Sequence, residues 1–283
     1  MFTMNIFNGL VYGALLVVMS SGLALIYGLR RVVNFAHGAL YMLGAYIGYS
    51  IAVHSNFWVA LVVAPLIMAA VGACLDRYGL RLLQDRDPLS VVLVTFGLLL
   101  IIEDFVQTVW GKSNLSVPAP DLLNASVDLM GTPVPAYRIA VIGVGAVVAV
   151  GLSLWLRFSR VGLFVRAAST DPITTAMQGV NTDRLSAMVV ALGTALAGLA
   201  GVVAAPFLSL SPSMSGDVLI DSFVVVVIGG LGSLAGAFAS ALILGQVQTL
   251  GAVFLPDSST ILPFVLMIAV LLWKPSGLAG NRV

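Results

Sequence analysis

The sequence predicts an all-α protein, a polytopic transmembrane helix bundle of about eight membrane segments, one of them broken and re-entrant. Three observations predict it. Of 283 residues, 60% are apolar and only 9% are charged, against roughly a quarter in an ordinary soluble domain. The charges are also confined, because none lies in Met1–Leu29, Val32–Leu75, Leu185–Gly216 or Ser222–Pro256. Finally, the basic residues fall at alternate chain turns, as the positive-inside rule requires of a protein that crosses a bilayer repeatedly.

A spanning helix needs about 20 apolar residues. The runs place spans near 6–28, 38–54, 57–75, 89–110, 139–156, 185–207 and 259–274, with a complex segment at 219–250. The first has no basic leader region and continues into further membrane, so it is expected to remain as a span. Arg30 and Arg31 set the cytoplasmic side. Arg77, Arg81 and Arg86 then fall inside, as do Arg157, Arg160, Arg166 and Arg184, while Lys112 and Arg138 flank a long outer loop. Trp58 and Trp110 mark the outer interface and Trp155 and Trp273 the inner one.

The segment 219–250 decides where the C-terminus lies. Its uncharged run, Ser222–Pro256, holds 35 residues, about 52 Å as one helix and too long for one ~30 Å core. It is also short for two full spans and a turn. Gly229, Gly230 and Gly232 break it. A short helix, a glycine turn and a return place the N-terminus outside and Lys274 and Arg282 inside. Bent backbone at membrane depth is tolerated where protein or a cavity covers it, so the turn 229–236 is a candidate pathway lining.

Composition excludes a soluble enzyme, a disordered chain and a nucleic-acid binder. The single cysteine, Cys74, excludes a disulfide framework and is expected to pack in its apolar run. No catalytic, cofactor-binding or metal set is present, and no cofactor is expected. Gly9/Gly13, Gly44/Gly48 and Gly232/Gly236 are small-residue pairs that let helices approach. Asn34, His37 and Gly38 form a polar, glycine-ended entry to the second span, read first as a capping element and also as candidate pathway lining. Glu103 and Asp104 are adjacent in the fourth span and cannot face each other on a helix. Aligning Gly38 with Gly232 hints at a two-fold repeat. So few intramembrane charges leave no ion relay, and the energy for any transport is expected from another subunit.

The inner loop 157–184 is the most informative stretch. Asp171 suits an N-cap and Pro172 the first helical position. About two turns follow, and Gly179 suits a left-handed stop. Ile173, Ala176 and Met177 share one face. Such a helix is too short to stand alone and needs a groove, either on the protein's own inner face or in a cytoplasmic partner.

The chain resembles the permease family of high-affinity branched-chain amino acid ABC importers. The resemblance rests on Asn8–Gly9, Val33–Asn34–Phe35–Ala36–His37–Gly38, Tyr41–Met42–Leu43–Gly44, Val161–Gly162, Arg166–Ala167, Asp171, Ala176, Gly179–Val180–Asn181–Thr182–Asp183–Arg184, Gly229–Gly230–Leu231–Gly232–Ser233 and Gly236–Ala237. It covers nearly the whole chain and is nearer the shorter of two paired permeases. It implies one permease domain over 1–283 in a bacterial inner membrane. The implied partners are a second related permease, two ATP-binding subunits and a periplasmic substrate-binding protein that meets loop 111–138 and the turn near 208–220, with no nucleic acid. Residues 171–179 would then be the coupling helix, with Asp171, Pro172, Ile173, Ala176, Met177 and Gly179 carrying it. The chain itself would hydrolyse nothing. Its solute would be a branched-chain amino acid or a related small organic solute. A secondary transporter or channel is the alternative, and would transport without an ATPase.

Overall fold

The computed structural model describes residues 2–83, 86–129 and 132–280. Eleven α-helices are described. They are α1 (Phe2–Arg30), α2 (Ala36–His54), α3 (Phe57–Tyr78), α4 (Pro88–Trp110), α5 (Ala136–Phe158), α6 (Arg160–Thr170), α7 (Pro172–Met177), α8 (Thr182–Ala204), α9 (Met214–Gly229), α10 (Leu234–Phe254) and α11 (Leu262–Trp273). Six are long and apolar enough to cross a membrane, α3 being extended by a 3-10 turn to Leu83. The chain is a multi-pass membrane helix bundle.

Burial separates centre from rim. The apolar windows of α1 and α8 are 89% and 67% buried, whereas those of α3, α4 and α5 are 22–28% buried. The outer helices expose Val62, Leu66, Ile101 and Val147, an apolar surface that lipid would cover. Cys74 is exposed on α3 rather than packed in the core, because only one stripe of α3 faces α8.

Close helix crossings set the architecture. The backbone of α1 touches α10 at Gly13–Gly245 and the turn that leads into α10 at Gly28–Gly232, so the two helices run antiparallel. In the same way α3 and α8 are antiparallel, with Gly72 against Thr194 and Gly198 against Met68. Gly22 and Gly193 meet where α1 crosses α8. Exchanging α1 with α8, α2 with α9 and α3 with α10 preserves this scheme, which is an inverted-topology repeat. In one register Val18, Gly22, Ala24 and Leu25 superpose on Val189, Gly193, Ala195 and Leu196. The expected pairing of Gly38 with Gly232 is therefore corrected. Gly232 lies in the α9–α10 turn, whose counterpart is the turn after α2. The two-fold repeat hinted at by that glycine match is carried instead by helix order.

The end of α1 shows how backbone chemistry turns the chain. Arg31 has φ +54°, a left-handed conformation that costs a β-carbon residue about 1 kcal/mol. It stops the helix, and the chain folds back along α1. His37 Nε2 then donates to the Met19 carbonyl oxygen at 3.0 Å, and its ring lies against Gly22. Met19 lies 11 residues before Arg30, so at 1.5 Å per residue the start of α2 is drawn ~16 Å in from the Arg30 end of the 29-residue α1. From the opposite side, α9 also begins at mid-bundle, and Gly38 lies directly against the Ser215 carbonyl. Two helix N-termini therefore abut inside the bundle.

The broken segment is observed as α9, the turn at Gly230–Ser233, and α10. It is longer than the expected 219–250. α9 starts at Met214 because Asp217 and Asp221, which bound the uncharged run, lie inside the helix. α10 alone is long enough to cross. Leu278 and Ala279 donate their amides to the carbonyls of Ile228 and Gly229, at 2.8 and 3.0 Å. That ties the C-terminal segment to the same end as Arg30, called the basic end below.

Three features were not read from the sequence. α6 is an amphipathic helix at the basic end, capped by Ser159, whose Oγ accepts from the Gly162 amide at 2.8 Å. It buries Val165 and Ala168 with Leu25, Leu185 and Val189. A short antiparallel ribbon, β1 (Ser126–Leu129) with β2 (Thr132–Pro135), crosses the loop after α4. The last expected span, 259–274, is the 12-residue helix α11, about 18 Å long, because a turn at Pro256–Ser258 and Pro263 at its start delay it.

Candidate functional site

At the basic end, α7 is built as its sequence implies. The Asp171 carboxylate accepts from the amides of Ile173 and Thr174, at 3.0 and 3.1 Å, and from the Thr174 hydroxyl. These bonds hold the Asp171 carboxyl below the usual carboxylate value, the Thr174 hydroxyl contributing most. Thr175 turns inward and donates to the Asp171 carbonyl at 2.7 Å. Gly179, at φ +83°, ends the turn. Ile173 and Met177 are 68% and 79% exposed, and Ala176 beside them is exposed too. The apolar face thus points away from the bundle.

α7 is anchored to the core helices. The Arg31 guanidinium donates to the carbonyls of Ser169 and Thr170 at the end of α6, at 2.9 and 3.5 Å. Nearby, the fully buried Asp76 of α3 pairs with Arg30 of α1 and with Arg81 at 3.5 Å, and accepts from Ser186 of α8 at 3.2 Å. Arg81 also donates to the Asp183 carbonyl at 3.0 Å. One carboxylate therefore gathers α1, α3 and α8 beneath α7. The sequence reading missed it, although a lone aspartate in an apolar helix among inner arginines was a usable signal.

The expected pathway residues separate into three places. Asn34 lines a small basic-end cavity of about 60 Å³ with Arg30, Arg86 and Thr95. Its Oδ1 also accepts from the Ala36 amide at 3.1 Å, capping α2. His37 and Gly38 sit deeper, enclosed at the crossing of the two helix N-termini. Gly229, Gly230 and Gly232 form the α9–α10 turn. Gly229 touches Gly236, Gly230 touches Gly277 and Gly280, and Gly232 faces Gly28. Gly230 and Gly232 have φ +99° and +86°, which only glycine adopts without strain.

A polar site that sequence reading did not assign lies on the far side of the crossing. A cavity of about 300 Å³ is bordered by Tyr12, Met19, Tyr41, Ser211, Asp217 and Asp221. An adjoining cavity of about 330 Å³ shares Asp217 and Asp221 and adds Gln248 and Phe264. Asp221 accepts from the Tyr12 hydroxyl at 2.7 Å and from Gln248 Nε2 at 2.8 Å. No described lysine, arginine or histidine borders either cavity. The usable signal was two aspartates four residues apart, one helical turn, in an otherwise apolar stretch. Glu103 also reaches this level, accepting from the Ser215 hydroxyl, while Asp104 points to the surface. Among the described residues no group of His, Cys, Asp or Glu is arranged to hold a metal.

An inverted-repeat bundle with two helices that start inside it is an architecture that membrane transporters use. The chain belongs to the family described as the permease component of the branched-chain amino acid transport system, whose model matches residues 5–271. It is 27% identical to the high-affinity branched-chain amino acid transport system permease protein LivH of Salmonella typhimurium, over 99% of this chain and 96% of that protein. It is 28% identical to the corresponding permease protein BraD of Pseudomonas aeruginosa, over 97% and 94%. Similarity to the permease protein LivM of Salmonella typhimurium is 26%, over 93% of this chain and 67% of that one. No solved structure matches the chain.

Proposed function

We propose that this chain is the transmembrane subunit of a binding-protein-dependent ABC importer, carrying a branched-chain amino acid or a related small organic solute across a bacterial inner membrane. The whole of 1–283 serves as one permease domain, its N-terminus external and its C-terminus cytoplasmic. It pairs with a second related permease and two ATP-binding subunits, and a periplasmic substrate-binding protein delivers solute to the opposite end. On this reading the chain is not itself an enzyme.

The observation that carries the reading is the exposed Ile173–Ala176–Met177 face of a fully capped helix. A two-turn helix is unstable alone, and this one is held from below by Arg31 and Asp171 while its apolar face is left uncovered. It serves as a plug for a groove in the ATP-binding subunit, with Asp171, Pro172 and Gly179 setting its ends. Motion there passes to α1 and α8 through the Arg30–Asp76–Ser186 contacts. Asn34, His37, Gly38, Gly229, Gly230 and Gly232 would border the path as the two repeats rock against each other. The test is Ala176→Glu in the assembled complex. Uptake is expected to be lost with the bundle still folded, and normal uptake with normal ATPase association would overturn the coupling assignment. Transport by the purified chain without ATP-binding subunits would instead favour a secondary transporter or channel.

A further inference from the structure

We infer that the mid-bundle cavity between α1, α2 and α9 receives the zwitterionic main chain of an α-amino acid in transit, the ammonium at Asp217, Asp221 and Tyr41 and the carboxylate at the N-terminus of α9. This inference rests on the amino-acid importer reading above and assigns that reading a place in the molecule.

Four observations carry it. The two carboxylates lie one turn apart on α9 and border the cavity without a described cationic neighbour. A negative site in a low-dielectric surround needs a cation, and an ammonium supplies three donors to share among several oxygens. Tyr41 is the second sign of an absent ligand. It is 2% exposed and borders this cavity, yet its hydroxyl makes no hydrogen bond to a described residue, whereas the Tyr12 hydroxyl is taken up by Asp221. Tyr41 borders the cavity, and a polar group there would give its hydroxyl a partner. The third observation is α9 itself. It begins at mid-depth, and no side chain caps its first amides. The Met214 amide donates to the Ser211 carbonyl at 3.1 Å, and the amides that follow it attract a carboxylate together with the helix dipole, as half-helix ends do in other transporter folds. The fourth is the rest of the wall. Met19, Leu208, Met214 and Val218 offer an apolar face for an aliphatic side chain. At about 300 Å³ the cavity lies at the lower end of ordinary ligand pockets.

The test uses the complete importer, with both permeases, the ATP-binding subunits and the binding protein, in proteoliposomes given a radiolabelled mixture of the common amino acids. Tyr41→Phe removes a hydroxyl that holds nothing in the protein, so folding is left intact. Asp217→Asn removes one charge and keeps the shape. Each is expected to lower uptake roughly ten- to a hundredfold, the range for hydrogen bonds to charged groups, while binding-protein-stimulated ATP hydrolysis continues. A second readout places Ser213→Cys at the cavity mouth in a Cys74→Ser background. A methanethiosulfonate bearing an ammonium is expected to react faster than one bearing a sulfonate, with protection by the transported amino acid and loss of the preference in Asp217→Asn. Uptake at the parental rate in both variants, or charge-blind labelling, overturns the site and leaves the importer reading standing. Absence of amino acid uptake by the parental complex overturns both.

Discussion

Gly22 and Gly193 meet backbone to backbone at the centre of the bundle, where a β-carbon on Gly193 would stand 2.8 Å from the Gly22 carbonyl oxygen and one on Gly22 would strike the Gly193 carbonyl in turn. The contact is reciprocal because the two glycines are equivalent positions of an inverted repeat. It brings α1 and α8 close enough for the helices that follow them, α2 and α9, to abut at their N-termini beside His37 and Ser215.

Gly22→Ala and Gly193→Ala are therefore expected to destabilise the bundle by about 1–3 kcal/mol, the usual cost of overpacking. Gly143→Ala on α5, where an added β-carbon meets open space, should gain up to about 1 kcal/mol from helix propensity. Thermal unfolding in detergent compares the three. Equal melting temperatures for all would refute the close crossing.

Asp76→Asn removes the carboxylate shared by Arg30, Arg81 and Ser186. Its side chain is fully buried and that of Arg30 is 13% exposed, so about 3 kcal/mol should be lost as a buried pair is broken. Limited proteolysis should then cut first at the basic end, near the 3-10 turn after α3. An unchanged melting temperature would show that the cluster is dispensable.

Asp171→Ala should uncouple uptake from ATP hydrolysis, whereas Asp171→Asn, an equally good cap, should retain coupling. The folded-state carboxyl titrates below its ordinary value of 3.8. Its contribution to α7 is accordingly complete above that value and is lost as the pH falls through the lower folded value. ATPase association measured from pH 7 down to pH 5 should be flat with respect to this group. Equal loss of coupling in both variants would remove the capping role.

Thiol labels placed at Arg31 and Ser276 should react from the same side of the membrane, the cytoplasmic one. The hydrogen bonds from Leu278 and Ala279 to the end of α9 require a shared end. Labelling of the two from opposite faces would be incompatible with the α9–α10 return.

Much of the fold was legible in the sequence because the bilayer leaves few choices. Uncharged runs had to become helices, and the ends of α2 through α5 fall within three residues of expectation. Local capping chemistry placed α7 to within a residue, since Asp171, Pro172 and Gly179 act through neighbours a few positions away. The glycine break at 229–233 was equally local. Legibility failed where meaning depends on depth or on distant partners. Asp217 and Asp221 went unassigned, one just before the expected segment 219–250 and one inside it, yet both lie in α9 and share a cavity with Tyr12 and Tyr41 from other helices. Asp76 was passed over just beyond the expected third span, and its partners Arg30 and Ser186 lie 46 and 110 residues away in the chain. α6 gave no clear signal because its apolar stripe is broken by arginines that face water.

By itself, then, the sequence determined that the chain spans a membrane several times, which end carries its positive charge, and that a capped helix stands in a loop the bilayer does not need. Hydrophobic transfer, charge exclusion and i to i+3 hydrogen bonding act along the chain and leave their marks there. Only the tertiary structure decided that two helices start inside the bundle, that their N-termini meet near Gly22 and Gly193, and that two aspartates border one cavity with Tyr41. Those relations arise from backbone contacts across more than a hundred residues, where the glycines permit an approach whose partner they do not name.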